Sequence, residues 1–212
     1  MSEPIGSLSD LQDLLENGIN YRYGDDTFAV YSVLLYTRTE GLNRLLHEYV
    51  LNHFEQFRKQ TGPNWLVAIL EIPGSRAPED EAKFKPESVY EIARYLGAGV
   101  DDIPAIIFFT EPKGRKETLI LQLRDIFPRS GELTDDDLEQ FFGKVATLID
   151  NMCEPDRTNG EMLSVLREQI EEKFGEDPQW AKGLESAIGW VKTSAVAATS
   201  LFGAIAALVK LL

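Results

Sequence analysis

The chain has 212 residues, of which 43% are hydrophobic, so it is long enough to bury one substantial core with a helical appendage. Its formal net charge of −14 at pH 7 argues against DNA and RNA as partners, because nucleic-acid binding draws its affinity from clustered Lys and Arg. A single cysteine, Cys153, excludes an internal disulfide and a cysteine-based zinc site, and it is typical of a reducing compartment.

The N-terminal residues predict a short helix rather than a targeting segment. They contain neither a basic stretch nor a long apolar one, which favours a cytoplasmic location. Ser9 and Gln12 have the spacing of a capping box, and Gly18 follows as the expected helix end. We therefore assign residues 1–24 to a helical lead-in.

Two apolar strands and a helix between them come next. Residues 27–37 and 64–72 are apolar runs of the kind found in strands buried on both faces. From Thr39 the apolar residues follow the period of an amphipathic helix. His47 and His53 lie on this helix at a spacing that does not suit a shared metal ion, so we expect no metal site and no cofactor.

The following segment predicts a helix, a hairpin and a further helix. Pro86 opens an amphipathic stretch that ends at Gly97. Residues 103–109 and 116–123 are apolar runs joined by so few residues that they must pair antiparallel. Thr134 then has the position of an N-cap before a helix that reaches Cys153.

This order of elements, together with the sequence YLGAGVDDIPAIIFF over residues 95–109, resembles the thioredoxin-like fold. In that family the central strand opens with a cis-proline in an Ile-Pro or Val-Pro pair beside the substrate groove. The resemblance implies an α/β domain over residues 25–153 with a β-α-β-α-β-β-α core, and it implies a cis bond at Pro104. An ordinary trans proline at a strand start is the alternative.

The resemblance also implies which chemistry is missing. Redox members of the family carry a Cys-x-x-Cys after an early strand, whereas the corresponding turn here reads YTRTEGL, residues 36–42. We therefore expect a redox-inactive member with no catalytic residue. The groove would bind a partner peptide through Tyr36, Arg38, Thr39, Ile103 and Pro104. A glutathione-transferase-like enzyme, with its catalytic residue at Tyr36, Thr37 or Thr39, is the alternative.

Residues 154–212 predict a C-terminal helical extension. A first helix ends at Gly175, and a long apolar helix is predicted from about residue 178. Its apolar positions recur at alternating spacings of four and three, which is typical of a supercoiling seam. They are Leu184, Ile188, Val191, Ala195, Ala198, Phe202, Ile205, Val209 and Leu212, with Gly203 on a neighbouring column of small residues.

These patterns predict a non-catalytic protein-interaction and assembly module. It would self-associate through the C-terminal helix and bind an unidentified protein partner through the groove. The second alternative is a membrane-inserting effector that acts through the same helix, since residues 193–209 carry no charge and are close to the lower length limit of a bilayer span.

Overall fold

The chain has a mixed α/β fold. A computed structural model describes residues 2–18, 28–37, 41–69, 86–110, 117–127, 133–153, 159–176 and 187–192. The strands are β1 (Ser2–Pro4), β2 (Val30–Leu35), β3 (Trp65–Ile69), β4 (Ala105–Phe109), β5 (Glu117–Gln122) and β6 (Ile188–Lys192). The α-helices are α1 (Leu8–Asp13), α2 (Leu42–Gln60), α3 (Pro86–Tyr95), α4 (Leu123–Ile126), α5 (Asp135–Met152) and α6 (Asn159–Gly175). A π-helical turn over Leu14–Gly18 extends α1, and a 3-10 turn over Val100–Asp102 leads into β4.

The described strands form one six-stranded sheet in the order β1-β3-β2-β4-β5-β6. β3 pairs parallel with both β1 and β2, whereas the β2–β4, β4–β5 and β5–β6 pairs are antiparallel. The connection between β2 and β3 includes α2 and is therefore long enough for a parallel crossover, while the short β4–β5 connection permits only an antiparallel pair. The predictions of a mixed α/β fold and of antiparallel pairing in this hairpin are confirmed.

Helices cover both faces of the sheet, which explains why the central strands are buried along their whole length. In β2, Leu34 faces a core formed with α2, α5 and α6, and Val33 faces a second core formed with α1 and α3. Ser32 is a buried polar residue in the same strand, and its hydroxyl accepts a hydrogen bond from the indole N–H of Trp65 at 2.8 Å. Because this polar group keeps a partner, its burial carries no large penalty.

Aromatic contacts join α2 to α5. The ring centroid of Phe142 lies 4.8 Å from that of Phe57 and 5.8 Å from that of Tyr49. Although α2 lies where the amphipathic pattern predicted a helix, it is kinked at His53, whose backbone angles are φ −120° and ψ 21°. The imidazole Nε2 there lies 2.9 Å from Asp135 Oδ2 at the start of α5. The apolar period gives no sign of this kink.

The N-terminal prediction is wrong in two respects. Residues 1–24 are not a purely helical lead-in, because residues 2–4 form β1 at the edge of the sheet beside β3. The N-cap of α1 is Ser7 rather than Ser9, since the Ser7 hydroxyl accepts from the Asp10 backbone N–H at 3.2 Å. A three-residue strand is too short to show a periodic pattern, and its ladder partner lies more than sixty residues away.

The C-terminal prediction is wrong at residues 188–192. The helix expected from about residue 178 does not run through Ile188 and Val191, because both belong to β6, which pairs with β5. The β-branched and aromatic residues of this stretch favour a strand once a sheet edge offers a ladder. The other predicted helix positions, Leu184, Ala195, Ala198, Phe202, Gly203, Ile205, Val209 and Leu212, lie outside the described residues.

The first C-terminal helix is confirmed as α6. The ring of Phe174, near its end, lies 5.3 Å from the ring of Phe141 in α5, so the two helices pack against one another. Within the described ranges, no helix has the length and apolar composition needed to cross a bilayer. Residues 193–212, on which the membrane alternative depends, lie outside those ranges.

Candidate functional site

Three of the predicted groove residues, Tyr36, Ile103 and Pro104, lie at one edge of the sheet. The register pairs Leu35 with Ala105, so the end of β2 lies beside the start of β4 and brings Tyr36 next to Pro104. We call the boundary of the sheet at which β2 and β3 end the carboxyl edge, and the boundary at which these strands begin the amino edge. The Ile103–Pro104 peptide bond is cis, which is the conformation that the resemblance implied, and not the trans alternative.

Hydrogen bonds from β5 and α4 hold the segment before Pro104. The Arg124 guanidinium donates from Nη2 to the carbonyl oxygen of Ile103 at 2.7 Å. The Asp102 carboxylate accepts from the Gln122 side-chain amide at 2.7 Å and from the Gly99 backbone N–H at 2.6 Å. The start of β4 is therefore fixed by charge-assisted bonds, which are stronger than neutral ones. Sequence analysis did not identify Asp102, Gln122 or Arg124, because these contacts depend on the pairing of β4 with β5.

The end of β2 is fixed to the start of α2 in a similar way. The Thr37 backbone N–H donates to Asn43 Oδ1 at 2.9 Å. Gly41, the residue before α2, has φ 68° and ψ −139°, a conformation that side-chain-bearing residues rarely adopt. The short turn between β2 and α2 therefore has defined ends, although Arg38 and Thr39 within it lie outside the described residues.

The described groove residues contribute to the core rather than to the surface. Tyr36, Ile103 and Pro104 are all buried, and the Tyr36 ring lies 6.1 Å from the ring of His47. Thr37 is buried as well. Tyr36 and Thr37 are therefore buried where β2 ends, before the turn that leads to α2. Exposed groups at this edge include Asp101 and Arg124.

The thiol lies at the other end of the sheet. Asn64 immediately precedes β3 at the amino edge, and its amide donates to Asp150 Oδ1 at 2.9 Å. Cys153 follows Asp150 at the end of α5 and donates from Sγ to the Ile149 carbonyl at 3.1 Å. Since β2 has six residues and spans about 20 Å between the two edges, Cys153 cannot approach Pro104.

A concave surface lies between α5 and α6. This groove has a volume of about 720 Å³ and is lined by Gly143, Lys144, Thr147, Leu148, Asn151, Gln169, Lys173 and Glu176. The Lys144 ammonium lies 5.9 Å from the centroid of the Phe174 ring, and Lys173 pairs with Glu172 at 2.9 Å on its own helix. Its two lysines therefore already interact with groups of the chain.

Ionisable groups of the described part show no metal centre. No cluster of three or more His, Cys, Asp or Glu residues there is arranged to hold an ion. The Nε2 atom of His53 lies 2.9 Å from Asp135 Oδ2. No protein-family model, curated protein or solved structure matches the chain.

Proposed function

We propose that the chain is a non-catalytic protein-interaction module on a thioredoxin-like scaffold, and that it self-associates through its C-terminal region. The observation that carries the proposal is the separation of Cys153 from Pro104 by the length of the sheet. A thiol at the amino edge cannot serve a groove at the carboxyl edge. The turn that would carry a redox pair has no cysteine.

The sheet order supports the scaffold. Taken without β6, the order is β1-β3-β2-β4-β5, with parallel strands on one side and the antiparallel β4–β5 hairpin on the other. This order is compatible with the β-α-β-α-β-β-α arrangement that the sequence resemblance implies. Pro104 stands at the head of the strand that the resemblance places at the groove.

The partner would be an extended peptide held at the carboxyl edge. Arg38 and Thr39 would contact it directly, and the exposed Arg124, which uses one donor to hold Ile103, would pair with a carbonyl or carboxylate oxygen of the peptide. Tyr36 and Pro104 would form the rigid floor beneath. The net charge of −14 favours partners of positive charge, because complementary charge accelerates association.

Peptide selection tests the groove. A phage-displayed peptide library is selected on the immobilised full chain, and the affinity of enriched peptides is measured by fluorescence anisotropy. We expect the double variant Arg38→Ala, Thr39→Ala to lower the affinity at least about tenfold, because each lost hydrogen bond to a charged group contributes about 1.5–3 kcal/mol. The control is Arg167→Ala, which removes an exposed ion pair on α6. An equal loss of peptide affinity in both variants, or no loss in either, would refute peptide binding at the carboxyl edge.

Light scattering after size exclusion tests self-association. The full chain is compared with a chain that ends at Lys192, which keeps β6 and every other described element. We expect the full chain to be a defined oligomer. A monomer at all concentrations up to about 100 µM, which corresponds to association weaker than about −5 kcal/mol, would refute self-association.

A further inference from the structure

α2 bends at a residue whose side chain can carry a proton. His53 has non-helical backbone angles in the interior of this helix, whereas the residues on both sides of it are helical. Kinks usually occur at proline, at glycine or serine, or where a side chain interrupts the helical hydrogen bonds, and residues 42–60 contain no proline, glycine or serine. The local sequence therefore does not explain the bend, which points to the tertiary contacts of His53.

The contacts of His53 join α2 to α5. The imidazole Nε2 lies 2.9 Å from Asp135 Oδ2 in the first turn of α5. One turn further along α2, the Gln56 side-chain amide donates to Glu139 Oε1 at 2.6 Å. Both contacts lie at the start of the second half of α2, residues 54–60, and therefore attach that half to α5.

The groups around the imidazole make a positive charge on it favourable. Within the described ranges, the titratable groups that face His53 are the carboxylates of Asp135 and Glu139 on α5 and the phenol of Tyr49 on α2. The Tyr49 ring stacks on the imidazole, with centroids 5.2 Å apart. Burial raises the pKa of Tyr49, and the charges of Glu139 and Asp135 raise it further, so both carboxylates act on this contact. A proton on His53 therefore supplies positive charge between two anionic groups.

Solvent reaches both members of the pair. The side chain of His53 is 34% exposed and that of Asp135 is 55% exposed, so both exchange protons with water. Histidine ordinarily changes its charge between pH 5 and pH 8. An imidazolium donates a charge-assisted hydrogen bond to a carboxylate, and such bonds are about twice as strong as neutral ones. The strength of the contact between α2 and α5 therefore depends on whether His53 carries a proton.

We propose that His53 is a pH-sensitive latch, which holds residues 54–60 on α5 when the imidazole is protonated and lets them open more often when it is neutral. The bend at His53 separates these residues from the first half of α2, where Asn43 holds the end of β2. The second half can therefore open while the first half stays in place. Opening uncovers Phe57, whose ring lies 4.8 Å from that of Phe142. The latch thus controls access to an aromatic surface on α5.

Hydrogen exchange of the full chain, followed by mass spectrometry, tests the latch. The opening constant of the amides in residues 54–60 is measured at about pH 5.5 and about pH 7.5, on either side of the range in which histidine usually titrates, and is corrected for the intrinsic effect of pH on exchange. We expect this constant to be about two- to fivefold larger at the higher pH, which is the range of a partly exposed ion pair. An opening constant that does not rise with pH would overturn the proposal.

Three variants identify the group that titrates. His53→Gln keeps a hydrogen-bond donor without a titratable charge, and Asp135→Asn keeps the shape of the acceptor without its charge. In both variants the opening constant of residues 54–60 should be the same at the two pH values. His47→Gln is the matched control, because it removes the other histidine of α2 and should keep the two- to fivefold change. A pH dependence that persists in His53→Gln, or that disappears in His47→Gln, would show that another group titrates and would overturn the proposal.

A titration of the unsubstituted chain keeps the test independent of whether the variants fold. The ring signals of His53 and the backbone amide signals of residues 54–60 are followed by nuclear magnetic resonance over the same pH range. We expect both sets of signals to change with one midpoint. Ring signals that titrate while these amide signals stay unchanged would show that protonation does not affect the second half of α2, and the latch would be refuted.

Discussion

The structure determines whether a substitution at Gly143 should raise or lower the free energy of unfolding. It lies in the interior of α5, with Phe142 buried on one side and the groove between α5 and α6 on the other. A methyl group built at Gly143 meets no heavy atom within 4 Å in the part of the chain that the structure describes. A glycine inside a helix costs about 0.5–1 kcal/mol relative to alanine, because it loses more backbone freedom on folding.

Gly143→Ala should therefore increase the free energy of unfolding by about 0.5–1 kcal/mol. For a chain of this length the melting temperature should rise by about 1–4 °C. Urea unfolding followed by circular dichroism measures the effect, and the urea dependence of the free energy should stay unchanged because no additional surface is exposed on unfolding.

Gly62→Ala is the matched control. Gly62 has φ 64°, and a methyl group there would lie 3.3 Å from Asp150 Oδ2. Alanine should lower the free energy of unfolding by about 1–2 kcal/mol, since the left-handed conformation is unfavourable for residues with a Cβ. A loss of stability in Gly143→Ala comparable to that of the control would refute the reasoning, because it would mean that another group already fills the space above Gly143.

Three further predictions concern a helix cap, the segment before Pro104 and a buried phenol. Thr134→Ala removes the hydroxyl that accepts from the Asp137 N–H at the start of α5, and should lower the free energy of unfolding by about 1 kcal/mol in urea titrations, whereas Thr134→Ser should retain most of it. Asp102→Ala removes the acceptor of the Gln122 amide and should lower the free energy of unfolding by about 2 kcal/mol in the same titrations. A decrease smaller than that of Thr134→Ala would contradict the role assigned to this carboxylate. Burial raises the pKa of Tyr49, and nearby carboxylates raise it further. The contribution of the neutral phenol to the free energy of unfolding is therefore complete below about pH 10 and is lost as the pH rises above that value. Tyr49→Phe should make the urea midpoint less dependent on pH between 9 and 11.5, and identical pH profiles for the two proteins would show that this phenol does not contribute.

Local signals in the sequence determined much of the central fold. Thr134 caps α5 through contacts within three residues of itself, and β4 and β5 are forced into a hairpin by the short connection between them. The buried strands are recognisable because helices cover both faces of the sheet, which leaves no polar alternation. The position of Pro104 at the head of β4 follows from the same short-range rules.

Only the tertiary structure decided how distant segments pair. β1 and β6 are the outer strands of the described sheet, and each pairs with a strand far away in the chain. β1 has only three residues, and the residues of β6 also fit a helical period. Neither strand could therefore be assigned from its own residues. The contact between Asp102 and Gln122, which helps to fix the carboxyl edge, likewise needs the assembled sheet. The sequence alone determined that one thiol exists. Its position at the amino edge, opposite the edge where Pro104 lies, depends on how α5 packs across the sheet, because helix packing is set by side chains that meet only in the folded chain.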